Sequence, residues 1–406
     1  MSKNKFLLPL IIMASLFFLF GFITTMNNST IDFLKSAFGL NDVEKQLPNF
    51  FFYGSYALSI PVGLLLAKIG YRNGVLLGLA LIAAGFFLCI FGVGFGYYTF
   101  LATVSVFAIG VVILQVVAGP YVNALGPAKT AASRLTLTNA LNSVATVFAP
   151  VFVSVLLVTP DLGEGQSLTN SEIKEIVRNP FFMIGIATLA ILVIMFFLKL
   201  PEIKEGEADE AGGARKSYKS SAFKYPHVWL GSLAIFVYMG IEIGIPSFFA
   251  DYVKKLGIPD INPTEMLMYY WGGLMVGRIL GIFVLRQFHA STILTVCALG
   301  GTAILALSFI LGAGSPVLAM WLFLATGLFH SIMWPVIYNL SLEDLGPHSK
   351  VASGVIATSV IGAGILTLLM AKIQTATSSV VIAVSCLFIY YLYLVFFAQR
   401  GSKIRT

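Results

Sequence analysis

Apolar residues run along this 406-residue chain in twelve long blocks, and short polar connections separate one block from the next. A helix needs about 20 predominantly apolar residues to cross the hydrocarbon core of a bilayer. The pattern therefore predicts an all-α integral membrane protein with twelve transmembrane helices. Their predicted limits are 6–34, 47–69, 73–94, 97–126, 134–159, 178–199, 226–254, 264–287, 290–312, 316–343, 350–374 and 377–398.

The chain also contains an internal repeat. Leu125–Ser133 (LGPAKTAAS) returns as Leu345–Ser353 (LGPHSKVAS), with Leu, Gly, Pro, Ala and Ser in the same places. Each copy follows an apolar run that contains a proline and precedes another apolar run. Two-fold repeats of membrane helices are typical of secondary transporters. We therefore expect an N-terminal six-helix bundle (1–200), a hydrophilic cytoplasmic linker (201–225) and a C-terminal six-helix bundle (226–406), related by pseudo-symmetry.

Composition agrees with a membrane protein, because 58% of the residues are hydrophobic and only 11% are charged. The net charge of +7 does not indicate nucleic acid. Most lysine and arginine residues fall on the side that also holds both termini, which the positive-inside rule assigns to the cytoplasm. The lipid bilayer is thus an expected partner, and nucleic acid is not.

Motifs for other classes of protein are missing from the sequence. The three cysteines lie far apart inside predicted spans, which argues against disulfides and a structural metal site. The sequence has no GxSxG, HExxH or Walker motif. An enzyme and an ATP-driven pump are therefore both disfavoured, and we expect no cofactor other than a coupling ion.

Two related sequences follow the second and eighth spans. Gly63–Arg72 (GLLLAKIGYR) resembles the G-x-x-x-D/A-R/K-x-G-R/K-R/K signature of the major facilitator superfamily, and Gly277–Gly281 resembles a degenerate copy of it. Glycines there permit a tight turn and close helix approach, while the basic groups stay on the cytoplasmic side. The residues expected to serve as this cytoplasmic conformational signature are Gly63, Lys68, Gly70, Arg72, Arg278, Gly281 and Arg286.

Several further stretches resemble one branch of that superfamily, the fucose–galactose/glucose–proton symporters. They are Ser15–Asn28, Leu114–Pro127, Arg134–Ser143, Tyr238–Glu242, Phe329–Pro347 and Ile361–Ile365. The resemblance implies the major facilitator fold and import of a monosaccharide such as glucose, galactose or fucose. It further implies cation-coupled alternating access by a monomeric, multi-pass protein of the bacterial inner (cytoplasmic) membrane, with both termini in the cytoplasm.

Two positions depart from the branch. Asn28 stands where the branch usually has Asp, and Gln115 stands where fucose-type members have Glu, although glucose/galactose-type members often have Gln. Neither amide can titrate. The usual carboxylates are therefore absent, and the coupling ion is left open between H⁺ and Na⁺.

Three other polar residues are candidates for cation coupling, because a charge inside a bilayer costs at least a few kcal/mol. Asp32 lies one helical turn beyond Asn28, and it either replaces the missing carboxylate or is solvated at the outer interface. Glu242 either lines the cavity or makes a hydrogen bond between helices. Na⁺ would suit the oxygens of Asp32 or Glu242. His330 is the third candidate.

The candidate sugar-contacting residues combine amides and aromatic rings, the surface that suits sugar hydroxyls and C–H faces. His330, Trp334 and Tyr338 recur at helical spacing and form either a sugar-contacting stripe or ordinary helix packing. Asn139 and Asn142 share a helix face, where they either meet sugar or join helices. The predicted substrate-binding set is Asn28, Gln115, Asn139, Asn142, Tyr238, Glu242, His330, Trp334 and Tyr338.

The sequence thus favours a cation-coupled monosaccharide importer. One alternative is an exporter of a small amphiphilic metabolite or drug, which the amide-rich spans disfavour. Another, from a different class, is a membrane sugar sensor that does not transport.

Overall fold

The computed structural model describes residues 7–124, 131–158, 168–198, 221–312, 314–345 and 348–404. Residues 125–130 of the first repeat, 346–347 of the second and 201–220 of the predicted linker lie outside the described residues. Within the described residues the chain is helical and has no strands. The α-helices are α1 (Leu7–Ser29), α2 (Ile31–Phe38), α3 (Leu47–Gly54), α4 (Ser59–Ile69), α5 (Tyr71–Gly92), α6 (Tyr97–Ala124), α7 (Ala131–Leu156), α8 (Asn170–Phe197), α9 (Pro226–Leu256), α10 (Pro263–Gln287), α11 (Ala290–Leu311), α12 (Pro316–His330), α13 (Met333–Leu342), α14 (Ser349–Thr358), α15 (Gly362–Thr377) and α16 (Val380–Gln399).

The described residues contain twelve helical segments that are long and apolar enough to cross a membrane. The predicted all-α, twelve-span fold is therefore confirmed. Many large apolar side chains point outward from these segments, such as Leu64 and Phe91, which are 66% and 61% exposed. Lipid rather than water is the environment that suits such a surface.

Four spans are broken where the sequence pattern predicted one continuous helix. The first predicted span (6–34) divides between α1 and α2, the second between α3 and α4, the tenth between α12 and α13, and the eleventh between α14 and α15. Pro61 and Pro335 are the third residues of α4 and α13. Proline excludes the carbonyl four residues earlier from the helical ladder, and here those carbonyls lie within the breaks. Two of the breaks thus have a local cause in the sequence.

Contacts within the described residues group the chain into two compact units. The first contains the described residues within Met1–Thr24, Leu58–Ala145 and Thr169–Tyr218, and the second contains those within Thr25–Ala57, Thr146–Leu168 and Lys219–Thr406. The predicted division into bundles at 200 and 226 stays a prediction.

In the first unit, α5 packs against α6 and α8. The α5–α6 contact is close because Gly85 lies against the backbone of α6. A Cβ at Gly85 would stand 2.5 Å from the backbone nitrogen of Phe107, so no larger residue fits there. Small residues allow membrane helices to pack this tightly.

The long helix α9 is the centre of the second unit. It packs against α13, α15 and α16, and most of its length is buried. It begins at Pro226, whose ring suits the first helical turn, and ends at Gly257 in the left-handed conformation. Polar side chains of α9 therefore lie inside the unit, where they need protein partners.

Candidate functional site

The signature residues of the first unit lie around the turn between α4 and α5. Gly70 has a φ of 80°, which glycine adopts without strain. Lys68 is exposed, and the Arg72 guanidinium donates a hydrogen bond of 2.8 Å to the carbonyl oxygen of Phe196. A Cβ added at Gly63 would meet no neighbouring atom within 4 Å, so this position has room for a side chain. The Arg72 hydrogen bond thus links the turn to α8.

The corresponding residues of the second unit lie on α10 beside the break in the tenth span. Arg278 is half-buried, and its Nε donates to the carbonyl oxygen of Ser331 at 3.4 Å. Gly281 packs on Ile332, where a Cβ would come within 2.3 Å of that side chain. Arg286 follows in the last turns of α10. These contacts hold α10 against the residues between α12 and α13.

The three amides predicted to meet sugar in the first unit have different surroundings. Asn142 on α7 donates through Nδ2 to the carbonyl oxygen of Phe17 on α1, at 3.0 Å. Its amide occupies the space beside Gly21, where a Cβ would lie only 2.3 Å from Nδ2. Asn139 is exposed, and Gln115 is half-buried on α6. Asn142 therefore joins two helices, while its contact with sugar stays a prediction.

His330 lies at the centre of a buried tyrosine network in the second unit. Its Nδ1 is 2.9 Å from the Tyr270 hydroxyl, and its Nε2 is 2.5 Å from the Tyr391 hydroxyl. Tyr270 donates its single proton to the carbonyl oxygen of Glu242 at 2.8 Å. Nδ1 of His330 must then donate to Tyr270, and Nε2 accepts from Tyr391. This geometry holds a neutral imidazole with both nitrogens in use, and it favours the packing interpretation of His330.

Trp334 and Tyr338 form the aromatic part of the predicted stripe. Their rings stack with centroids 5.1 Å apart and planes inclined by 10°. Both side chains are half-buried, and the Tyr338 hydroxyl hydrogen-bonds to Ser353. His330 belongs to the preceding helix, across the break, so it does not continue their helical spacing. The stripe is thus reduced to a stacked pair, whose role in binding sugar stays a prediction.

Glu242 lies on α9 among these groups and is 9% exposed. Its carboxylate interacts with Arg278 on α10 and with the Tyr238 hydroxyl one turn earlier on α9. Tyr238 in turn donates to the carbonyl oxygen of His330 at 3.0 Å. The structure therefore brings Tyr238, Glu242 and His330 together, as a coupling site would require.

A second polar cluster surrounds Ser247, one helical turn further along α9. The Nδ2 atoms of Asn28 and Asn49 donate to its hydroxyl oxygen at 2.7 and 3.1 Å. Asn49 also accepts a hydrogen bond of 3.2 Å from Asn27. All four side chains are buried, and the Oδ1 atom of Asn28 has no hydrogen-bond partner among the described residues. Sequence reasoning found Asn28 but missed Asn49 and Ser247.

One helical turn beyond Ser247, Asp251 of α9 lies in a group of charged side chains. Lys45, which is fully buried, forms an ion pair with Asp251. Lys35 bridges Asp251 at 3.3 Å and Asp42 at 2.8 Å. The sequence pattern gives no sign that these charges meet.

Asp32 is half-buried near the same charges. Burial raises the pKa of its carboxyl group to about 6, and Asp251 also raises it, while Lys45 and Lys35 act in the opposite direction. Asp32 can therefore change protonation state near neutral pH.

Comparisons of the sequence with known protein families and with individual proteins give consistent results. The sequence pattern of the Major Facilitator Superfamily matches residues 13–368. A glucose/galactose transporter of Brucella abortus is 36% identical over 407 residues, which cover 99% of this chain and 96% of the relative. The L-fucose-proton symporter of Escherichia coli is 26% identical over 99% of this chain and 96% of its own length.

A solved structure shares the fold. The superfamily transporter FucP, in its outward conformation, superimposes with a TM-score of 0.72 at 24% identity. The alignment covers 98% of this chain and 99% of FucP. At this level of identity the likeness concerns the architecture alone.

Proposed function

Because the chain belongs to the Major Facilitator Superfamily, we propose that it is a secondary active transporter that imports a monosaccharide by cation-coupled alternating access. The substrate class is a hexose such as glucose, galactose or fucose. The observation that carries this proposal is the 36% identity, over nearly the whole of both chains, to a protein named as a glucose/galactose transporter. The relative named as an L-fucose-proton symporter supports the same substrate class and a coupled mechanism.

The polar groups inside the spans supply suitable chemistry for a sugar. Asn28, Gln115, Asn139 and Asn142 would take hydroxyl groups, and the stacked pair Trp334–Tyr338 would take a C–H face. Glu242 and Tyr238 lie on α9 beside the same tenth span. These candidate residues belong to the first, fourth, fifth, seventh and tenth spans.

The coupling ion would be H⁺ or Na⁺. Glu242 has the surroundings of a coupling group, because it is buried and interacts with a cation, Arg278, when it is ionised. Asp32 is the second candidate, and its perturbed pKa supports it. His330 is the weakest of the three, since its two nitrogens already have partners.

We further infer that the protein works as a monomer in a bacterial inner membrane with both termini in the cytoplasm. The positive-inside distribution of lysine and arginine supports this orientation. The relatives named above are bacterial, which supports the location.

The test is counterflow of labelled glucose, galactose, fucose and mannose in proteoliposomes, repeated with imposed H⁺ or Na⁺ gradients. Saturable exchange of one sugar, concentrated by one gradient, is the expected result. If no hexose exchanges, the substrate class is refuted. Exchange without any effect of either gradient would refute coupling, and a sensor would show binding without flux.

Glu242→Gln tests the coupling site in the same vesicles. Removing the ionisable group should abolish accumulation against a gradient while exchange at equal sugar concentrations continues. Glu175→Gln, at an exposed position on α8, is the matched control and should accumulate sugar normally. Wild-type accumulation by Glu242→Gln would remove this residue from the coupling mechanism.

A further inference from the structure

Five charged side chains meet at the end of α9 that is predicted to face outward: Asp32, Lys35, Asp42, Lys45 and Asp251. Lys35 pairs with Asp42 and Asp251, and Lys45 pairs with Asp251. Asp32 makes neither an ion pair nor a hydrogen bond to any described residue. Three carboxylates thus share two ammonium groups, and the carboxylate that lacks a direct partner is Asp32.

Lys45 is the buried member of this cluster. Its side chain is 0% exposed, and its ammonium lies against Asp251 and 5.7 Å from the centre of the Phe248 ring. A buried ammonium without a carboxylate is strongly destabilising. Lys45 also acts electrostatically on Asp32. Two carboxylates therefore compete for one buried cation.

The two carboxylates belong to different parts of the chain. Asp32 follows the first span and Lys45 lies at the start of the second, whereas Asp251 lies in the seventh span. All three residues belong to the second compact unit. Alternating access moves the N-terminal repeat against the C-terminal repeat. That motion would separate Lys45 from Asp251 but would keep Lys45 near Asp32.

We propose that Lys45 exchanges carboxylate partners during transport, pairing with Asp251 when the outer gate is closed and with Asp32 when it is open. As the gate closes, the Lys45 ammonium turns from Asp32 to Asp251, and Asp32 takes up a proton in place of the lost ion pair. The hydrogen bonds from Asn28 and Asn49 to Ser247 form in the same closed state. This inference rests on the proposed function, and it makes Lys45 and Asp251 positioning residues that link proton binding to gate closure.

The electrostatics of the described state fit this cycle. The charged groups that face Asp32 are Lys45, Asp251 and Lys35, while Asp42 is held by Lys35. With Lys45 on Asp251, burial keeps the pKa of Asp32 at about 6. Direct pairing with Lys45 in the open state would give Asp32 a lower pKa. The closed state therefore binds the proton more tightly, so acid favours closure, and this preference is lost as the pH rises through about 6.

The gate can be observed without any sugar through a cysteine at Ser247. This side chain is 2% exposed beneath Asn28 and Asn49, so a membrane-impermeant maleimide should reach Ser247→Cys only when the gate opens. Lys254→Cys, at an exposed position on the same helix, corrects for the effect of pH on thiolate formation. Protein without an introduced cysteine gives the background from Cys89, Cys297 and Cys386.

In the Ser247→Cys background, the labelling rate should rise with pH as Asp32 ionises. Asp32→Asn removes the open-state partner of Lys45, so labelling should be slow at every pH. Asp251→Asn removes the closed-state partner, so labelling should be fast at every pH, by roughly tenfold or more. Asp260→Asn, an exposed change at a left-handed position that asparagine also accepts, should behave as the parent.

These opposite effects of two like substitutions distinguish the exchange from a merely structural role. If both variants speed labelling, or if neither changes it, the exchange is refuted. A labelling rate that does not depend on pH in the parent would also refute it. A thermal unfolding curve of each variant shows whether it is folded. Asp251→Glu keeps the negative charge and should therefore restore pH-dependent labelling. The labelling experiment uses no sugar, so a negative result there does not refute sugar transport. Likewise, absence of hexose exchange in the counterflow test does not refute the exchange of partners by Lys45.

Discussion

Gly364→Ala should open the outer gate without changing any charge. Gly364 lies near the start of α15, where this helix touches the backbone of α3. A Cβ at Gly364 would stand 2.8 Å from the Cα of Phe50 and 3.0 Å from the carbonyl oxygen of Asn49. Backbone atoms cannot rotate away as a side chain does. The added methyl group must therefore push α3 away from α15.

The size of the effect follows from these distances. Carbon atoms prefer separations of about 3.5–4.0 Å, so α3 would have to retreat by roughly 0.5–1 Å. Overpacking of this kind typically costs about 1–3 kcal/mol. If that cost falls on the closed state alone, it shifts the gate equilibrium about 5- to 150-fold towards the open state.

The assay is again the labelling of Ser247→Cys. Gly364→Ala should label faster than its parent yet retain the dependence on pH, because Asp32, Lys45 and Asp251 are unchanged. The matched control is Gly272→Ala in α10, where an added Cβ meets no atom within 4 Å. If both alanine variants label at the parent rate, the close α3–α15 contact does not hold the gate closed.

Two further predictions concern packing. Tyr391→Phe leaves the buried Nε2 of His330 without its donor and should lower stability by about 1–3 kcal/mol, seen as a lower midpoint of thermal unfolding. Tyr98→Phe, at a position that is 68% exposed, is the control, and equal midpoints for the two variants would contradict this role. Asn142→Ala removes the hydrogen bond to Phe17 and should cost roughly 1 kcal/mol of stability. It should also weaken sugar binding by roughly 1–3 kcal/mol in titration calorimetry. Lower stability with unchanged sugar affinity would leave Asn142 only as a link between helices.

The number of spans could be predicted because bilayer thickness dictates the length of each apolar block. The breaks within spans could not be read from hydropathy, since a broken helix is as apolar as a continuous one. Pro61 and Pro335 were the available signals for two of them. The break after His330 also explains why its spacing from Trp334 and Tyr338 was misleading, because that spacing assumes one continuous helix.

The candidate site was predictable where a polar residue interrupts an apolar run. Asn28, Asn142 and Glu242 were found in this way, and each has polar partners in the structure. Lys45 and Asp251 were not singled out, because each lies close to the end of a predicted span, where a charge needs no explanation. Their pairing joins residues that are 206 positions apart. No local pattern in the sequence reports such a distance.

That separation also has a consequence for how the protein is made. Chain synthesis proceeds at about 5–20 residues per second, so Lys45 emerges from the ribosome about 10–40 s before Asp251. During this interval the second span must enter the membrane while its ammonium lacks the partner on α9. A lysine near the end of a span can extend its ammonium into the headgroup region, which lowers the free-energy cost of the unpaired charge during this interval. The position of Lys45 at the start of its span thus suits the order of membrane insertion as well as the finished fold.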